Sequence, residues 1–84
     1  MNIIFIGASW CSSCLVMRSR LGKALIGREE VLVKELDIDF DQDRAEAYNP
    51  GKILPVIIVF QGNQEFKRFV GEISIATLKQ VLCL

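Results

Sequence analysis

The sequence predicts an α/β fold, a four-stranded mixed sheet flanked by three helices in the order β-α-β-α-β-β-α. Three observations carry this prediction. Two short runs, 2–6 (NIIFI) and 54–60 (LPVIIVF), are almost wholly apolar and read as strands, the first a central one buried on both faces. The stretch after the first run repeats apolar residues at helical spacing. The dipeptide Gly62-Asn63 then makes a two-residue turn that joins the second run to 64–70 as a β-hairpin.

The first run ends at Gly7 and delivers the chain to two cysteines. From Cys14 onward, Met17, Leu21, Ala24 and Leu25 form one apolar stripe with Arg18, Arg20, Lys23 and Arg28 lying mostly between them, which predicts a helix over 11–26 that stops near Gly27. Residues 31–39 (VLVKELDID) read as a strand whose central Lys34 and Glu35 suit a sheet edge, where charge discourages pairing with other chains. A short helix over 41–48 has acids in its first turn and is closed by Asn49-Pro50-Gly51. After the hairpin and Gly71, Ser74 caps a last helix that presents Ile75, Leu78, Val81 and Leu82 on one face. A right-handed crossover in the first half and an antiparallel hairpin in the second close as one mixed sheet.

Length and charge narrow the function classes. At 84 residues the chain is read as a single domain with a thin core, 51% hydrophobic, with 10 basic and 10 acidic residues. Balanced charge gives no electrostatic footprint for nucleic acid, and no apolar run approaches the roughly 20 residues that span a bilayer. The N-terminus has neither a basic leading segment nor a secretory core, so a cytoplasmic, monomeric protein is expected.

Cys11 and Cys14 are the candidate chemistry. In a reducing compartment a close pair is catalytic or metal-binding more often than a structural staple. Residues three apart on a helix are surface neighbours near disulfide geometry, so the bond could form and break without refolding. At the helix start, unpaired N–H groups and the dipole favour a thiolate on Cys11, which we expect to be exposed after Trp10 and to attack. Cys14 opens the buried face and suits a shielded resolving thiol. Ser12 and Ser13 are small, and their hydroxyls could donate to a thiolate. Two other readings of the spacing stay open. A zinc or iron–sulfur site would have only Cys83 as a third sulfur and no histidine, so it would need carboxylates or a second chain. The pair could also be two small core residues. Cys83 itself reads as a half-buried apolar position, or a free thiol open to oxidation or intermolecular pairing. Asp37, Asp39, Asp41 and Asp43 alternate like the start of a calcium loop, but Gln42 and Tyr48 stand where such a loop needs glycine and glutamate. They are read as a strand end and an acidic helix start.

A-S-W-C-S-S-C after a buried strand, then ILPVIIVF, then F-V-G-E-I-S before a terminal helix, resembles the thioredoxin family over roughly residues 2–82. The resemblance implies a thiol–disulfide oxidoreductase whose cofactor is its own redox-active Cys11–Cys14 couple, with no metal. Its partners would be disulfide-containing proteins and a thioredoxin-reductase-type or glutathione reductant. It implies that Pro55 is the family's cis-proline beside the cysteines, that the backbone of Leu54 binds an extended substrate segment, and that Trp10 and Gly71 flank the same groove. Glutaredoxin-like electron donation, to ribonucleotide reductase or to glutathione mixed disulfides, is a second enzymatic expectation. A binding module without redox turnover is a third.

The chain departs from the family pattern in several places. By this resemblance it begins at the family's second strand, so the family's first strand and helix are expected to be missing and the fold to be a minimal version. Phe5 stands where thioredoxins carry a buried aspartate, Glu35 where they carry its lysine, and Ser12-Ser13 where they have glycine-proline. Ser19 replaces the helix proline, and Gly71-Glu72 replaces the Gly-Gly turn of glutaredoxins.

Overall fold

The computed structural model describes residues 1–82. The strands are β1 (Asn2–Gly7), β2 (Leu32–Asp37), β3 (Val56–Gln61) and β4 (Gln64–Val70), and the helices are α1 (Ser12–Ala24), α2 (Gln42–Glu46) and α3 (Ile75–Leu82). They form one sheet in the order β2-β1-β3-β4. β1 pairs parallel with β2 and antiparallel with β3, and β3 pairs antiparallel with β4, so the predicted element order and mixed pairing are those observed.

Alternation along β1 and β3 sorts the core into two layers. Ile3, Phe5, Ile57 and Val59 point to the face covered by α1 and α3 and join Cys14, Met17, Leu21, Leu78 and Leu82. Ile4, Ile6, Val56 and Ile58 point to the other face, where Leu36 and Ala45 of α2 complete a smaller cluster. Phe5, Ile6 and Val56 through Val59 are essentially inaccessible, which is why these strands carry no alternation of polarity in the sequence.

Element ends shift from the predicted bounds for local reasons. Cys11 is the N-cap of α1 rather than its first turn, and the helix ends at Ala24, with the left-handed turn delayed to Gly27 at φ +81°. The regular pairing of β3 begins at Val56, just after the cis Leu54–Pro55 peptide. β2 stops at Asp37, whose side chain accepts the N–H groups of Asp39 and Phe40. On β4, Phe66 is the extra residue of a bulge, since Val59 faces Lys67 while Phe60 faces Glu65. Ser74 caps α3 by accepting the Thr77 N–H at 3.2 Å.

The loop before α3 is tied to α1. The Ile73 N–H donates to Met17 Sδ at 3.2 Å, and Arg20 donates to the Ile73 carbonyl at 3.1 Å. Arg28 reaches from the exit of α1 to the Leu82 carbonyl. No helix among the described residues is long and apolar enough to cross a membrane. Cys83 lies outside the described residues.

Candidate active site

The site sits where β1 runs into α1. Ile6 and Gly7 end the central strand in a buried position, and the Cys11 N–H bonds back to the Ala8 carbonyl at 3.2 Å, a tight turn that sets Cys11 at the helix start. Cys11 has extended dihedrals (φ −93°, ψ 109°), and its Sγ accepts the Cys14 N–H at 3.2 Å. The sulfur takes the place that a serine or aspartate oxygen usually takes at an N-cap, satisfying one of the helix's orphan donors. Both cysteines carry free thiols.

This capping geometry corrects one expectation. Cys11 is buried, with 8% of its surface accessible against 1% for Cys14, because its sulfur folds back over the first turn and joins the apolar cluster with Ala8 and Met17. The expected order, with Cys14 the deeper of the two, holds. Burial pushes the Cys14 thiol up to about 11; the Cys11 hydrogen bond and charge add to that, while the Ala8 backbone and Arg18 pull the other way.

A second correction concerns the serines. The Ser13 hydroxyl donates to Glu72 Oε2 at 3.5 Å rather than to a sulfur, and Ser12 is exposed. The loop before α3 lies close to the helix start there, and a carboxylate is a better acceptor than a shielded thiol.

The other predicted residues converge on the same end of the sheet. Leu54 is half-buried and packs against the cluster that holds both cysteines, and Pro55 next to it is buried. The Pro55 carbonyl accepts the Gly71 N–H at 2.9 Å, which joins the two sides of the proposed groove. Gly71 has φ +80°, and a Cβ there would stand 3.7 Å from Ile53, so backbone conformation rather than space selects glycine. Trp10 is 68% exposed, and its indole N–H donates to Asp39 Oδ2 at 2.7 Å.

Asp39 is a site residue the sequence reading missed, 29 positions from its partner and hidden in the run of alternating aspartates. That run serves the loop itself: Asp37 accepts from Asp39 and Phe40, Asp41 accepts the Asp37 N–H at 3.0 Å, and Asp39 is left for Trp10. Among the described residues no group of three or more Cys, Asp or Glu side chains is placed to hold a metal ion.

Gly7 was read only as a strand end. A Cβ on it would lie 3.0 Å from Cys14 Sγ and 3.2 Å from Phe5 Cε1, so the absence of a side chain there is what lets the sulfur and the ring pack against the strand. Gly7 also helps line an open cleft of about 380 Å³ bounded by Phe5, Ala8, Leu15, Arg18 and Glu35. Arg18 donates to Glu35 at 2.6 Å, and its guanidinium lies 5.6 Å from the centre of the Phe5 ring.

Comparison with known proteins agrees with the fold. The thioredoxin family model matches residues 2–83. A thioredoxin of Echinococcus granulosus is 34% identical over 64 residues, a match covering 76% of this chain and 59% of that one. A bifunctional thioredoxin reductase/thioredoxin of Mycobacterium leprae is 35% identical over 65 residues, covering 76% of this chain and 14% of that protein. The match thus spans less than two thirds of either relative. Among solved structures, thioredoxin-2 of the malaria parasite, described as a component of its protein secretion machinery, superposes with a TM-score of 0.87 at 19% identity, over 98% of this chain and 80% of that one. That likeness shows the same fold.

Proposed function

The chain belongs to the thioredoxin family, and on that premise we propose that it is a thiol–disulfide oxidoreductase that reduces protein disulfides through Cys11 and Cys14. The observation that carries this reading is the pair of free thiols at a helix N-cap, one sulfur at the surface of the core and the other a turn deeper. Cys11 as thiolate attacks one sulfur of a substrate disulfide and expels the other, which takes up a proton. Cys14 then attacks the Cys11 sulfur of the mixed disulfide, forms the Cys11–Cys14 bond and expels the second substrate thiolate. Two electrons pass from the protein dithiol to the substrate.

The surroundings suit a bound polypeptide. Leu54 lies two residues before Val56, the first paired residue of β3, and in this reading its backbone pairs with an extended substrate segment that Trp10 and Gly71 flank. Ile53 and Trp10 add exposed apolar surface. The fused reductase of the Mycobacterium leprae relative supports a thioredoxin-reductase-type enzyme as the recycling partner; glutathione is the alternative reductant, and a reducing cytoplasm is the working compartment we propose. Reduction of a model protein disulfide is expected to require Cys11, and Cys14→Ser is expected to accumulate mixed disulfides. Unchanged turnover by Cys11→Ser overturns the reading. Comparing recycling by glutathione with recycling by a thioredoxin reductase identifies the reductant.

A further inference from the structure

Cys14 must lose its proton to resolve the mixed disulfide, yet it lies in the apolar layer with Phe5 rather than a carboxyl group behind it. Arg18 is one helical turn after Cys14, on the same face of α1. Its guanidinium is held at two points, by the Phe5 ring and by the Glu35 carboxylate. Phe5 in turn shares with Cys14 Sγ the space that a side chain on Gly7 would occupy. The cation lies against the ring, and the ring and the sulfur both flank Gly7, beside an open cleft lined by Phe5, Gly7 and Arg18.

We propose that Arg18, lying over the Phe5 ring with Glu35 partly offsetting its charge, is a positioning residue for the resolving step, its positive charge stabilising the Cys14 thiolate as that thiolate attacks the Cys11 sulfur. The inference rests on the oxidoreductase reading above. The step itself is balanced as before: Cys14 gives its proton to solvent, its sulfur bonds to that of Cys11, and the substrate thiolate leaves and is protonated. Arg18 exchanges no proton in this step.

Arg18 is the cation in a setting otherwise acidic or apolar. Cys11 faces Cys14 from the helix cap, Glu35 and Asp37 come from β2, Asp41 from the loop before α2, and Glu72 from the loop before α3. Asp37 and Asp41 are occupied by backbone N–H groups and Glu72 by Ser13, and β1 and β3 contribute only apolar side chains and Gly7. Glu35 stands on the edge strand and partly offsets Arg18, which gives the two residues opposite expected effects.

The test is stopped-flow release of thionitrobenzoate from the mixed disulfide formed on the reduced protein, followed against pH and ionic strength. Arg18→Gln is expected to release about two- to fourfold more slowly near neutral pH and to lose the salt dependence of the wild type, allowing for the partial loss of nucleophilicity that accompanies a lower thiol pKa. Arg18→Lys is expected to restore most of the rate, and Glu35→Gln to match or exceed the wild type. Equal release by Arg18→Gln and wild type overturns the inference, as does slow release by Arg18→Lys. Slowing by Glu35→Gln equal to that of Arg18→Gln overturns it too, because the ion pair would then act only as a brace. Failure of Cys11 to form any mixed disulfide removes the oxidoreductase reading, and this inference with it.

Discussion

A thiol pushed up to about 11 by burial ties folding to pH. The folded state holds the Cys14 proton more tightly than the unfolded chain, whose thiol titrates near 9.0. The corresponding stability is therefore fully present below pH 9 and is lost as pH rises from 9 through 11. Under reducing conditions, urea unfolding from pH 7 to 10.5 is expected to show a decline of at most about 2 kcal/mol attributable to this group. A Cys14→Ala variant is expected to follow a flatter curve. Gly7 is the other residue with a sharp expectation. Gly7→Ala drives a methyl group against Cys14 Sγ and the Phe5 ring, both fully buried, so a loss of about 1–3 kcal/mol is expected in the same assay. Nothing in the sequence marks Gly7 for this role, because the contact joins a strand end to a side chain seven positions later on a helix and depends on how the two pack.

At the scale of elements, what was legible and what was not divide by range. The apolar runs of β1 and β3, the stripe of α1, the Gly62-Asn63 turn and the Ser74 cap are all local patterns, and each yields its element, with ends shifted by one or two residues. The bulge at Phe66, the delayed start of β3 and the capping role of Cys11 depend on neighbours distant in sequence or on backbone geometry, which local pattern does not encode. The same holds in the site: two cysteines can be read as a pair from spacing alone, but the partnerships Trp10–Asp39 and Arg18–Glu35 require the strand order. The edge strand β2 combines both kinds of information. Leu32 and Val33 are exposed on it, and Lys34 and Glu35 lie at its centre. Replacing both charges with valine is expected to promote self-association at micromolar concentrations, visible by light scattering, because an open edge would then be continuous apolar surface. A double variant that stays monomeric would contradict that role for the charges.

Across the whole molecule, stability is distributed from the centre of the sheet outward. β1 and β3 are paired on both sides and buried on both faces, β2 and β4 each have one open side, and α2 is only five residues long. Native-state hydrogen exchange is expected to protect the amides of β1 and β3 most, and those of α2 and the outer side of β2 least. Protection of α2 equal to that of β1 would contradict this gradient. The two attachments of Ile73 to α1 and the Arg28 contact with Leu82 extend the protected region to the side of the sheet that carries the thiols.

Both sulfurs belong to the cluster that holds α1 and α3 on the sheet. In a chain this short, the side chains that set thiol reactivity are therefore also among those that supply cohesion. Selection acting on one property meets the other at once: a lineage that exchanged Phe5 for a polar residue to quicken proton transfer would loosen its own interior, and one that enlarged Gly7 to tighten the interior would displace the resolving sulfur. Adaptation is left freer at the rim of this cluster, where Arg18 and Glu35 are each about half exposed and a change of charge displaces less of the interior.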